Sequence, residues 1–186
     1  MARTKPWFSR TIFVVVGDHG TPTKPLHDIR SIHELMVLRH RVVMLFYSPL
    51  LPGGVRIVGP ASHADVLPTL EGLLGSSGPR AGIGVDLLDP ADREQQHPII
   101  SWNPEARTVT VTTGAFSYHG VVENLVGSPI EFSSETLIDP HSDPDGLQNL
   151  ADILPAQTER FRKLARVYVD LYPYLVAAGR SGLPPK

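Results

Sequence analysis

Residues 10–24 read RTIFVVVGDHGTPTK, and the fold turns on how this stretch is understood. Ile12 to Val16 are all apolar, so both faces of an extended segment are apolar, as in a strand covered on each side by helices. The run stops at Gly17, and an acid and an imidazole, Asp18 and His19, stand side by side before Gly20. In an open α/β sheet, side chains converge where strands end. Neighbouring residues in a regular strand point to opposite faces, so this pair serves one centre only if the backbone turns between the glycines. A carboxylate beside a neutral imidazole suits Mn, Zn or Mg-class cations, and oxygen-rich surroundings favour Mg, Ca or Mn. The alternative at this point is structural: Asp18 caps a turn and His19 is a packed or exposed histidine.

Working outward, IRSIHELMVLR (29–39) has Ile29, Ile32, Leu35 and Met36 near helical spacing, and RVVMLFYSP (41–49) reads as a second buried strand closed by a proline. Strand, helix, strand predicts a βαβ unit in a parallel sheet. SHADVLPTLEGLLG (62–75) predicts a helix with a glycine stop. Pro68 belongs in its first turn, which makes Asp65 the expected N-cap in place of Ser62. Residues 76–97 form a polar connection punctuated by Gly and Pro, the expected internal boundary. HPIISW, ARTVTVTTGAFSYH and GVVENLV then predict a small antiparallel sheet. From Pro155, Phe161, Leu164, Ala165, Tyr168, Leu171 and Leu175 recur at helical intervals, predicting a long terminal helix bent or broken near Pro173.

The composition excludes several classes. The chain has 186 residues, enough for one substantial core, and no cysteine, which removes disulfides, thiolate metal sites and cysteine nucleophiles. With 17 basic and 19 acidic residues there is no basic field for nucleic acid. The apolar runs IFVVV and VVMLFY fall far short of the roughly 18 residues that cross a bilayer, and MARTKPWFSR has no apolar stretch of a signal peptide, so the chain reads as soluble.

The order of the parts is more specific than any one of them. A buried strand ending in GDHG, then RVVMLFYSP, SHADVLPTLEGLLG, GVDLL and LIDPHSDPDGLQNLAD resembles the C-terminal half of the sulfatase and phosphoglycerol transferase branch of the alkaline phosphatase superfamily, over nearly the whole chain. TIFVVVGDHG and the tyrosine-rich terminal helix resemble lipoteichoic acid synthases, and DPDGLQNLAD resembles arylsulfatases. The resemblance implies an α/β fold: part of an alkaline-phosphatase-like mixed sheet between helices, followed by a small C-terminal antiparallel sheet and a long terminal helix. It divides the chain into a catalytic-core part with the metal loop at 1–90 and a sheet-and-helix subdomain at 91–186. It implies a divalent metal (Mn, Mg or Ca) on Asp18 and His19 and a sulfate or phosphate ester as substrate. An extracytoplasmic or membrane-attached parent protein is also implied.

Other side chains gain meaning in that frame. Lys24, six residues past Asp18, could hold an ester oxygen, and His40, ahead of the second strand, could protonate a leaving oxygen. His27 and His33 read as surface residues, and His63 as a local structural one; nothing local makes His119 or His141 a ligand. Thr21, Thr23 and Ser48 are hydroxyls to test as nucleophiles. Family nucleophiles, however, resemble a Ser, Thr or modified Cys far upstream of the DHG motif, and upstream acidic ligands complete the metal site. The expected partner is therefore the missing N-terminal half of the catalytic domain, and the isolated chain is expected to be inactive. Sulfate against phosphate stays open. The competing function is a non-catalytic interaction module that keeps the fold without the chemistry.

Overall fold

The computed structural model describes residues 2–21, 23, 25–51, 53–76, 82–94, 97–124 and 129–181. The chain divides into two compact units, Met1–Val58 and Gly59–Lys186.

In the first unit, β1 (Phe13–Val16) and β2 (Met44–Tyr47) form a two-stranded sheet, with α1 (Ile32–His40) between them in sequence. The strands pair antiparallel, Phe13 opposite Tyr47 and Val16 opposite Met44. The parallel βαβ expectation is therefore wrong for this pair: the nine-residue α1 returns the chain in the opposite sense. An apolar pattern reports burial but not the direction of pairing. Phe8, Phe13 and Tyr47 stack at one end, with ring centroids 5.6 to 6.3 Å apart. The start of α1 is set by Ser31, whose hydroxyl accepts from the Glu34 amide at 3.0 Å, while the Glu34 carboxylate reaches back to the Arg30 amide at 2.7 Å. The Ser-x-x-Glu spacing of Ser31 and Glu34 is the sequence signature of this start.

The second unit begins with a 3-10 turn, His63–Asp65, leading into α2 (Val66–Leu73). After α3 (Pro90–Glu94), four strands follow: β3 (Ile99–Asn103), β4 (Thr108–Thr112), β5 (Ser117–Val122) and β6 (Phe132–Ile138). They form an antiparallel meander in the order β3-β4-β5-β6. Arg107, with φ of 52°, takes the left-handed position that closes the β3–β4 turn, and Ser134, with φ of 50°, sits at a bulge opposite Gly120. α4 (Pro155–Ser181) covers one face of the sheet. Alternation decides which face: Val109, Val111, Tyr118, Val122 and Leu137 are fully buried against Phe161, Ala165 and Val169.

The helical stripe that docks runs Thr158, Phe161, Ala165, Val169, so the expected placement of Leu171 in the core is wrong. Leu171 is 48% exposed, and Tyr168 is half-buried beside the stripe. The side chain of Leu175 lies outside the described residues. The helix continues through Pro173 and is not broken there. A polar clamp fixes its position. Arg162 donates to both Glu135 oxygens at 2.8 Å and also pairs with Glu159, while the Tyr118 hydroxyl donates to Glu135 at 2.6 Å. Burial pushes the Glu135 carboxyl up, but hydrogen bonds from Arg162 and Tyr118 outweigh it and leave its pKa below the ordinary value.

Among the described residues, no helix is long and apolar enough to cross a membrane. Helices with a two-stranded and a four-stranded antiparallel sheet, ending in a long helix, make an α/β fold of the expected kind.

Candidate functional site

β1 ends at Val16, and the Gly17 amide prolongs the pairing by one bond to the Val43 carbonyl at 3.1 Å. The next three residues leave the sheet and settle on the last turn of α1, where the Gly20 amide donates to the Arg39 carbonyl at 2.6 Å. A Cβ on Gly20 would stand 2.2 Å from the Leu38 carbonyl oxygen, and one on Gly17 would meet the Val42 Cβ at 3.0 Å. The glycines are thus needed for close approach. Neither has the positive φ that a glycine-dependent turn would use; the described glycines with positive φ are Gly53, Gly59, Gly75, Gly82 and Gly146.

This loop brings Asp18 and His19 together. The Asp18 Oδ1 accepts the His19 amide at 2.8 Å, and Asp18 Oδ2 lies 3.7 Å from His19 Nε2. Both side chains face solvent, 89% and 70% exposed. His19 Nδ1 lies 3.0 Å from the Gly20 carbonyl oxygen, which can only accept. With its proton on Nδ1, the ring leaves Nε2 as an acceptor 3.7 Å from a carboxylate oxygen. Two metal–ligand bonds of about 2.1 Å, meeting at an obtuse angle, span such a gap. The pair therefore fits two positions of a divalent site. Among the described residues no group of three or more His, Asp or Glu is arranged to hold a metal ion.

His40 is the last residue of α1, one position beyond the carbonyl that receives the Gly20 amide, so helix and loop place its backbone beside the Asp-His turn. Partial burial, and then the Arg39 charge, lower its pKa. A neutral imidazole at neutral pH is a hydrogen-bonding group and a base more than an acid. Lys24 lies outside the described residues. Thr21 and Thr23 are exposed, and the Ser48 hydroxyl, buried, accepts the Leu50 amide at 3.3 Å in the turn after β2. His27 sits beside Asp28 on the surface. His33 is buried, 4% exposed, against its expected place on the surface. Charge is divided unevenly along the chain. Residues 1–58 carry eight Lys or Arg against three Asp or Glu, and residues 59–186 carry nine against sixteen. The Asp-His turn belongs to the basic part, which favours anions.

The second unit holds a polar centre that sequence reasoning assigned wrongly. Asp65 does not cap α2; its side chain makes no cap bond there. It is fully buried and accepts the Ser62 amide at 2.7 Å, closing a capping box on the preceding turn, and the Val85 amide at 2.9 Å. His97 Nε2, itself shielded from solvent, lies 3.5 Å from the same carboxylate. One helical turn on, the buried Thr69 hydroxyl accepts the Leu87 amide at 3.0 Å. Four residues of helix and two of extended chain both advance about 6 Å, so Asp65 and Thr69 match Val85 and Leu87 in step. Gly84 and Gly72 allow the contact, since a Cβ on either would fall within 2 Å of Ala64 or Asp86 oxygens. This is a structural fastening for the GVDLL segment. Its sequence trace is a pair of polar residues spaced four apart, Asp65 and Thr69, followed by glycines at 72 and 84. On the sheet, His119 is buried between the Thr110 and Ser117 hydroxyls, and His141 reaches the Gly114 carbonyl at 2.7 Å, so the groups identified for both are protein hydrogen bonds.

No family model and no curated protein matches the sequence. Solved structures do. A proposed sulfatase from Bacteroides thetaiotaomicron VPI-5482 superposes with a TM-score of 0.55 at 21% identity, over 96% of this chain. The fold is sulfatase-like. The proposed sulfatase YidJ from Bacteroides fragilis gives 0.60 at 19% identity over 88% of this chain, and a 2-O GAG sulfatase gives 0.54 at 21% over 96%. This sulfatase-like chain spans 39%, 36% and 40% of the length of those three structures.

Proposed function

We propose that the chain is the C-terminal portion of a metal-dependent hydrolase or transferase acting on sulfate or phosphate esters, with Asp18 and His19 holding a divalent cation (Mn, Mg or Ca). The observation that carries the reading is the convergence of Asp18 Oδ2 and His19 Nε2 to 3.7 Å at a strand end, with Nδ1 engaged by a backbone carbonyl. A bound divalent ion supplies positive charge that stabilises a transferred group and lowers the pKa of a nucleophile. The chain's own residues do the rest. The Gly20 carbonyl orients the His19 ring, and the Asp18 carboxylate is held by the His19 amide. His40, its pKa lowered by partial burial and the Arg39 charge, is assigned to orient an ester oxygen, and Lys24 is assigned the same task from the loop. The excess of basic residues in 1–58 attracts the anionic ester. Sulfatase neighbours favour the sulfate ester, and phosphoglycerol-type transfer is the alternative within the same chemistry.

The nucleophile and the remaining metal ligands are assigned to another part of the catalytic domain, outside these 186 residues. The division into a core part at 1–90 and a subdomain at 91–186, and an extracytoplasmic parent protein, belong to the same proposal. Mn(II) titration followed through paramagnetic broadening of the His19 ring signals tests it. Selective broadening of His19, lost in Asp18→Asn, is expected. Binding that leaves His19 sharp, or that survives Asp18→Asn unchanged, would refute the assignment.

A further inference from the structure

The first unit holds a contradiction between sequence and exposure. Its strands carry the pattern of interior strands, apolar on both faces, yet β1 and β2 are a two-stranded sheet in which Val15, Val16, Leu45 and Tyr47 are exposed. Pairing places Val15 directly opposite Leu45 and Phe13 opposite Tyr47, so these share a face with Val43, which has the parity of Leu45 and Tyr47. On that face Val43 is 70% exposed, Val15 56%, Leu45 51% and Tyr47 40%. The opposite face, with Val14, Met44 and Phe46 half-buried and Val16 38% exposed, is better covered. A two-stranded sheet is marginal in water without further strands or a packed layer, and a contiguous apolar patch of this kind marks a surface meant to be covered.

We infer that the Val15–Val43–Leu45–Tyr47 face and the outer edges of β1 and β2 are the docking surface for the remainder of a sulfatase-like α/β layer, a polypeptide that adds strands to the sheet and a helix over this face. The occupant is identified by length. The solved sulfatase-like structures match 88% to 96% of this chain but extend well beyond it, some three-fifths of each lying outside the match. A second copy of this chain would leave the strand pattern unexplained, since two-layer burial requires helices as well as strands. The inference rests on the sulfatase-like reading of the chain and not on the metal assignment. It also accounts for an Asp-His pair of only two ligands: the same docking would bring further groups to the end of β1.

The test is hydrogen–deuterium exchange on two proteins, the isolated 186-residue chain and a chimera in which this chain replaces the segment it matches in the Bacteroides fragilis protein. Amides of residues 13–16 and 43–47 should exchange at least about 100-fold more slowly in the chimera, while those of β4 and β5 stay protected in both. The pair Val15→Lys with Leu45→Lys should be tolerated by the isolated chain, whose face is exposed, and should abolish the added protection in the chimera. Unchanged exchange of the ribbon in a chimera whose β4 and β5 amides remain protected would overturn the inference. So would protection of the isolated chain that rises with its concentration and vanishes in the double variant, because the occupant would then be a second copy. Asp18→Asn separates the two proposals: it should leave ribbon protection in the chimera intact whatever it does to Mn(II) binding.

Discussion

The two sheets of this chain differ both in pattern and in cover: β1 and β2 are apolar throughout, whereas β4 alternates Thr with Val and β6 carries Ser, Glu and Thr between its apolar ends. In β3–β6, the core-facing residues share one buried cluster with Phe161, Ala165 and Val169 of α4, and Val109, Val111, Tyr118 and Leu137 reach zero exposure. In β1–β2, Val15 and Leu45 face each other across the pair and remain half in water. The first sheet is closed by its own helix, while the second is left open beside the residues proposed to carry chemistry. What the difference teaches is that the fully buried core lies in the β3–β6 unit, whereas the Asp18–His19 turn sits at the end of a sheet with an exposed apolar face.

The strongest way to break that comparison is to damage the closed part. Phe161, 1% exposed, touches Tyr118 and Phe116, and Phe161→Ala should cost about 3–5 kcal/mol in denaturant unfolding followed by the fluorescence of Trp102. A loss below about 1 kcal/mol would mean that α4 is not the keystone of the second unit. Next in size is Asp65→Ala, which strips the Ser62 and Val85 amides of their acceptor; about 3 kcal/mol is expected from buried donors left unsatisfied. Asp65→Asn, which keeps one acceptor oxygen, should recover part of that loss.

Glu135→Gln sharpens the comparison through pH and should cost about 2 kcal/mol near neutrality. Because hydrogen bonds hold the folded Glu135 pKa below its ordinary value of 4.5, its stabilisation is full above that value and is lost as pH falls through the lower folded pKa. The variant should therefore show a flatter acid limb between those two points. An unchanged acid limb would deny the Arg162–Glu135 clamp its role. The smallest effect belongs to the open part. His40 has a folded pKa below 6.5, so the unfolded chain binds the proton first and stability falls as pH drops below 6.5, levelling off under the folded value. The side chain is largely at the surface, so His40→Gln should remove well under about 1 kcal/mol of this acid sensitivity.

These contrasts also mark what could be read from residues alone. The antiparallel sheet and its helix were legible because alternation in TVTV and helical spacing from Phe161 to Ala165 are local signals that tertiary packing obeys. Leu171 shares a period with Leu164 and Tyr168 but lies round the helix from the docking stripe of Phe161, Ala165 and Val169, while the next residue, Tyr172, meets Trp102 of β3. Strand direction in β1–β2 was not legible, since apolar runs carry no sign of parallel or antiparallel pairing. Gly17 and Gly20 stand out as necessary, but the reason, contact with Val42 ahead of β2 and with the Leu38 carbonyl of α1, depends on segments about twenty residues away. Asp65 was misassigned for a related reason: its acceptors are claimed by Val85 across 20 residues, and a cap is a local guess. Asp18 and His19 stood out as a pair, whereas the orientation of His19 by the Gly20 carbonyl needed coordinates.

Native-state hydrogen exchange of the isolated chain tests the division between a closed and an open sheet most directly. Amides of β5, flanked by strands on both sides, should exchange only through global unfolding, and those of β1 and β2 should exchange at least about 100-fold faster through local opening. Equal protection of the two sheets, with equal loss in Phe161→Ala, would contradict the account by showing one cooperative structure in which the ribbon needs nothing further to complete it.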